Sequence, residues 1–120
     1  MATSIRNARP TYHSLRADAP VGSAPQVFLL GDYANTVTQV HRHNTKYWTV
    51  TTREARNAFS NPTLGVSAQV WFDQFDGRYV VDYHADGLVG IEITRTLDAR
   101  AALGAAITHT TETGHLAGRW

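Results

Sequence analysis

The chain has 120 residues, a formal net charge of +1 and no cysteine. That length fits one domain able to bury a core without covalent staples. The absence of cysteine excludes disulfides, thiolate metal sites and a cysteine nucleophile, and so small a net charge argues against bulk electrostatic attachment to nucleic acid or membrane.

With 42% hydrophobic and 18% charged residues, the composition is that of a globular protein. No apolar run approaches the roughly 20 residues that a membrane span needs. The first 25 residues lack the apolar stretch of a secretory signal. A cytoplasmic protein without membrane contact is the expectation. Lys46 is the only lysine, an arginine bias that hints at a GC-rich bacterial or phage genome.

Residues 1–25 read as an irregular N-terminal arm. They hold Pro10, Pro20, Pro25 and Gly22 and show no periodicity. The domain proper is expected over 26–110, followed by a tail over 111–120. Val27-Phe28-Leu29-Leu30, closed by Gly31-Asp32, fits a buried strand. Thr36 to His43 is rich in β-branched residues and predicts a second strand. Asn44-Thr45 predicts a turn, and Lys46 to Val50 a third strand. Thr51 followed by Glu54 is a capping-box pattern, with Asn61-Pro62 as a stop. Together they predict a short helix over Thr52 to Ser60.

The clearest pattern runs from Val66 to Arg95. Val66, Ala68, Val70 and Phe72 alternate with Ser67, Gln69, Trp71 and Asp73, the period-two signature of a strand. Asp76-Gly77 predicts a two-residue hairpin turn, which would pair Phe72 with Val81 and Val70 with Tyr83. A three-residue turn, Ala85-Asp86-Gly87, would pair Tyr83 with Val89, Val81 with Ile91 and Tyr79 with Ile93, keeping the large apolar residues on one face. The other face then carries Gln69, Trp71, Asp73, Val80, Asp82, His84, Leu88 and Glu92. A helix follows from about Ala99 to Thr110, capped by Thr96 or Asp98, with Ala99, Leu103, Ala106, Ile107 and Thr110 on one stripe. The fold class is α+β: an antiparallel sheet of about five or six strands that includes a three-stranded meander, with one or two helices on one face.

The segment Val81-Asp82-Tyr83-His84-Ala85-Asp86-Gly87-Leu88-Val89-Gly90-Ile91-Glu92-Ile93 resembles the C-terminal hairpin of a small bacterial family, domain of unknown function 2283. Val81, Asp82, Tyr83, Gly87, Val89 and Gly90 to Ile93 carry the resemblance, with one residue fewer between the glycines. The family has no established activity, so the resemblance implies a hairpin and no chemistry.

Three constellations bear on function. His41 and His43, two apart on a strand, project to one face and suit a metal or proton-transfer pair. A metal would need a third ligand such as His84, with Asp82 or Glu92 as carboxylate partners. Asp73, Asp82, His84 and Glu92 on the polar meander face suit cation binding or acid–base work. Trp71, Val80 and Leu88 on that same face point instead to a cover. Arg6, Arg9, Arg16, Arg42, Lys46, Arg53 and Arg56, with Tyr12, Tyr47 and Trp48, resemble the cation-and-aromatic mixture of a single-strand binder. The reading these favour is a small non-catalytic binding or protein-interaction module, without cofactor, that self-associates or meets a protein partner. Trp71, Asp73, Asp82, His84, Leu88 and Glu92 would form its binding face. The alternatives are a small enzyme or metal protein built on His41, His43 and His84, and a nucleic-acid contact through the basic first half.

Overall fold

The computed structural model describes residues 15–28, 36–57, 65–84 and 90–117. They form β1 (Gln26–Phe28), β2 (Thr36–Asn44), β3 (Tyr47–Glu54), β4 (Val66–Asp73), β5 (Arg78–Tyr83), β6 (Ile91–Thr96) and a C-terminal helix, α1 (Ala99–Ala117). The six strands make one antiparallel sheet in sequential order. The helix lies across one face, an α+β architecture in two layers.

Alternation along the strands sets that face. Trp48, Val70 and Val81 stand in register on neighbouring strands, as do Val40, Val50 and Ala68. All six are buried against Ala102, Leu103, Ala106 and Ile107 of α1. Burying each larger aliphatic side chain stabilises the fold by about 1.5–3 kcal/mol. The arm contributes too. Leu15 is buried in this core, Arg100 donates to its carbonyl at 3.1 Å, and Arg42 donates to the Ala19 carbonyl at 2.7 Å. The Gln26 amide brackets the Arg16 backbone at 2.7 and 2.9 Å. Residues 15–25 hold no helix or strand and are docked on the domain. Leu29 and Leu30 lie outside the described residues.

The helix expected over Thr52 to Ser60 is absent across its described part. β3 runs on to Glu54 and a single 3-10 turn follows at Ala55–Asn57. The capping pattern is local, whereas Thr52 is paired on both sides, to Thr38 and Val66. Its buried hydroxyl also joins a chain. Thr38 and Thr52 hydroxyls lie 2.7 Å apart, Thr52 donates to Thr110 at 2.8 Å, and Thr110 donates to the Ile107 carbonyl at 3.1 Å. Each hydroxyl has one proton, so Thr38 must be the donor to Thr52. Ser60 lies outside the described residues.

Both meander turns differ from expectation. β4 and β5 close at the pair Asp73–Arg78, with Phe72 opposite Tyr79 and Val70 opposite Val81. The turn therefore holds four residues, not two. Asp73 organises it: its Oδ1 accepts from the Phe75 N–H at 2.9 Å and its carbonyl from the Gly77 N–H at 2.8 Å. Gly77 takes the positive φ of 71° that closes the loop. Next, Tyr83 faces Ile91 rather than Val89, and Tyr79 faces Thr96 rather than Ile93. The expected Ala85-Asp86-Gly87 turn falls on residues outside the description. A bulge in β6 accommodates Ile93 between the pairs Asp82–Glu92 and Val81–Thr94. The β4–β5 register, and β5–β6 on the loop side of the bulge, shift by two, so the faces expected for these strands survive.

Asp98 caps α1, accepting from the Ala101 N–H at 2.9 Å. The helix continues seven residues beyond Thr110, so the expected tail from 111 is helical to Ala117. Thr111 is buried and donates to the Ile107 carbonyl at 2.9 Å, so its hydroxyl is satisfied inside the helix. No helix among the described residues is long and apolar enough to cross a membrane.

Candidate functional site

The sheet face away from α1 carries most of the residues singled out from sequence. His41, Thr49, Gln69, Asp82 and Glu92 form one cross-strand row. Tyr47, Trp71, Val80 and Arg95 form the next. Neighbouring strands lie about 4.8 Å apart, so His41 on β2 and Asp82 on β5 are separated by roughly 14 Å. Metal–ligand bonds are only about 2 Å long, and no three His, Asp or Glu side chains converge as a metal site among the described residues. His41, His43 and His84 are therefore not brought together. His41 and His43 do stack, 4.2 Å between ring centroids, in the bulged end of β2. His43 also lies 5.1 Å from the Tyr47 ring and 2.7 Å from the Thr49 hydroxyl. Burial, and then the neighbouring His41, push the His43 pKa down.

Two further groups complete this face. The Trp71 indole N–H donates to Asp82 Oδ2 at 2.8 Å. Asp82 and Val80 are buried within the single chain, and Trp71 is half-buried. Asp82 Oδ1 is buried without a hydrogen bond among the described residues. Arg95 gathers the other carboxylates: Asp73 and Asp76 at 2.8 Å each and Glu92 at 2.9 Å. The Arg95 guanidinium, and then the Phe75 N–H, hold the Asp73 carboxyl below its ordinary range. Arg95 itself is held further above its usual value, by Asp73 first. Nothing in the sequence marked Arg95 as the hub, because the bulge at Ile93 is what brings it beside Glu92. Leu88 lies outside the described residues.

The basic first half is largely engaged within the chain. Arg42 donates to the Ala19 and Thr45 carbonyls and lies over the buried Trp48 ring at 5.3 Å. Lys46 lies 3.9 Å over the Phe72 ring. Arg53 donates to Gln39 at 3.0 Å, Arg56 pairs with Glu54 at 2.8 Å, and Arg16 lies 3.5 Å from Asp18. Arg6, Arg9 and Tyr12 are outside the described residues.

A different arrangement stands where β4 begins, β5 ends and the last turns of α1 pass. Val66, Ser67 and Gln69 of β4, Tyr83 and His84, and His109 and Thr113 of α1 line a cavity of about 380 Å3. Gly65 completes its rim. At φ 120°, with Arg53 Cγ only 2.6 Å from where a Cβ would stand, that position accepts no larger residue without a shift. The Tyr83 and His109 rings stack at 4.7 Å, inclined by 31°. His109 Nδ1 lies 3.4 Å from the Thr113 hydroxyl. Its Nε2 is buried and has no hydrogen-bond partner among the described residues. Burial lowers the His109 pKa, favouring the neutral ring. Of these residues, sequence reasoning singled out only His84. A signal for His109 existed: Ala102, Ala106, His109 and Thr113 follow one another at helical spacing, a second stripe beside the core one. Tyr83 was assigned to the core face, and nothing local tied it to a histidine 26 residues on.

No family model matches the chain, and no curated protein or solved structure matches it.

Proposed function

We propose that this protein is a non-catalytic binding module whose ligand site is the pocket between Tyr83 and His109. The observation that carries this reading is a cavity of about 380 Å3 lined by Tyr83 and His109, with a His109 Nε2 that has no hydrogen-bond partner among the described residues. More than about nine in ten buried polar groups in folded proteins have a hydrogen-bond partner. The His109 nitrogen is an exception, on a residue that lines the cavity. The cavity volume also falls in the roughly 300–1,000 Å3 range of small-molecule sites. The non-catalytic part rests on the surroundings of the imidazole. Among the described residues no carboxylate orients it, and the nearby Ser67 hydroxyl is bonded to Thr51 at 2.9 Å. A nucleophile–base–orienter arrangement is thus missing from this pocket's described lining.

Affinity-selection mass spectrometry with a mixture of small metabolites tests the reading. Wild-type protein is expected to retain one or more of them, and Thr113→Trp, which fills the pocket from the helix side, to release them. Retention that is the same in Thr113→Trp would place binding elsewhere and defeat the proposal.

Self-association is favoured by a separate observation. Phe75, 94% exposed, and Leu97, 77% exposed, stand at the same end of the sheet, where Arg95 bonds Asp76 across the two segments. Light scattering over a concentration series should show dimer in wild type and less in Phe75→Ser. A monomer throughout removes this second reading.

A further inference from the structure

The bulged end of β2 gathers two imidazoles on the sheet face away from α1. A strand rises about 3.3 Å per residue, so side chains two apart leave the backbone roughly 6.6 Å from each other. His41 and His43 nevertheless bring their ring centroids to 4.2 Å, inclined by 50°. The register shift between Arg42 and Asn44 leaves His43 as the extra residue, and a bulge re-aims the side chain it carries. The Tyr47 ring backs His43 at 5.1 Å, and the Thr49 hydroxyl holds its Nε2 at 2.7 Å. Thr49 is also the cross-strand partner of His41, so the β2–β3 hairpin alone builds the arrangement.

The pair has the properties of a metal chelate. His43 is exposed and His41 half-buried, so an ion reaches them from solvent. The nearest cations in sequence are engaged elsewhere: Arg42 lies over the buried Trp48 ring and Lys46 over the Phe72 ring. Burial, and then His41, make His43 harder to protonate, and a metal requires the neutral ring. Two imidazoles on one ion, with metal–nitrogen bonds of about 2.1 Å, have ring centroids roughly 4.5–5.5 Å apart. Side-chain rotation that parts the rings by roughly 1 Å reaches that spacing. Thr49 Oγ both donates and accepts. His43 Nε2–H can therefore rest on it while Nδ1 ligates, whichever tautomer the free ring holds. Imidazole nitrogen suits Cu2+, Ni2+ and Zn2+, whereas Mg2+ and Ca2+ take oxygen ligands.

We infer that His41 and His43 chelate one late first-row divalent metal ion, copper(II) most tightly and zinc(II) less so, with water in the remaining coordination positions. No third His, Asp or Glu joins them among the described residues. The site lies at the opposite end of the sheet from the Tyr83–His109 pocket, beside the pair Tyr47–Trp71 rather than Thr52–Val66. It therefore stands or falls apart from the binding reading above.

Isothermal titration calorimetry on the untagged full chain at neutral pH tests this with Zn2+, Cu2+ and Mg2+. Zn2+ is expected to bind saturably at one ion per chain, Cu2+ to displace it with at least tenfold higher affinity, and Mg2+ to give no heat of binding. His41→Ala and His43→Gln should each weaken Zn2+ at least tenfold. Glutamine keeps a hydrogen-bonding group beside Thr49 but offers no imidazole nitrogen, so a loss there is the loss of a ligand. His84→Ala, at an exposed position at the far end of the sheet, should leave Zn2+ binding unchanged. No saturable Zn2+ binding, Zn2+ affinity unchanged in His41→Ala or His43→Gln, or an equal loss in His84→Ala would each overturn the inference.

Discussion

Removing the Thr52 hydroxyl should cost more than removing its neighbour's, although both are fully buried. The proton order explains why. Thr38 donates to Thr52, Thr52 to Thr110, and Thr110 to the Ile107 carbonyl. Thr52→Val keeps shape and β-propensity but deletes the middle link. It strands the Thr38 donor in the core and removes the bond from Thr52 to Thr110. Losing a net hydrogen bond costs about 0.5–1.5 kcal/mol, and a stranded buried donor about 1–3 kcal/mol, so the total is about 1.5–4.5 kcal/mol. Thr38→Val strands no donor, because Thr52 still reaches Thr110, and should cost about 1 kcal/mol. The double variant Thr38→Val with Thr52→Val also strands none. It should be more stable than Thr52→Val alone by about 1–2 kcal/mol, a clear non-additivity for groups in contact. Urea unfolding followed by circular dichroism reads all three, with the slope m unchanged. If Thr38→Val is as costly as Thr52→Val, or if the two changes simply add, the assigned proton order is wrong.

Two further outcomes follow from the sheet's polar face. Trp71→Phe removes the one described hydrogen bond to the buried Asp82 carboxylate. It should destabilise the fold by about 1.5–3 kcal/mol in urea, and an unchanged midpoint would show that Asp82 is satisfied in another way. Asp73 has a folded-state pKa below its unfolded one, chiefly through Arg95. Its contribution is therefore present above about pH 4 and lost as pH falls through the depressed folded value. Melting temperatures of wild type and Asp73→Asn should differ at neutral pH and converge in acid; parallel curves would refute the linkage.

What could be read from the sequence was parity. Alternation at Val66 to Phe72 placed Ala68 and Val70 inside, and the helical stripe placed Leu103, Ala106 and Ile107 on the sheet; all five are buried. Parity is blind to a shift of two residues. The Asp76-Gly77 hairpin and its four-residue replacement present the same face, so the apolar pattern could not choose between them. The choice was made by Asp73 and Arg95, one side chain reaching its own turn and another crossing strands. Thr51 and Glu54 imitate a helix start, yet strand partners on either side outweigh a local cap. His41 and His43 were legible as a pair because strand geometry is local. The Tyr83–His109 contact was not, since it depends on where a helix that outruns its expected end crosses a sheet.

Binding at the sheet-end pocket is tested most directly by the imidazole 15N spectrum of His109, recorded with and without a molecule retained in the affinity selection. The His109 ring resonances are expected to move in proportion to occupancy and to saturate as that molecule is added. Ring resonances that stay in place while it rises would contradict binding there.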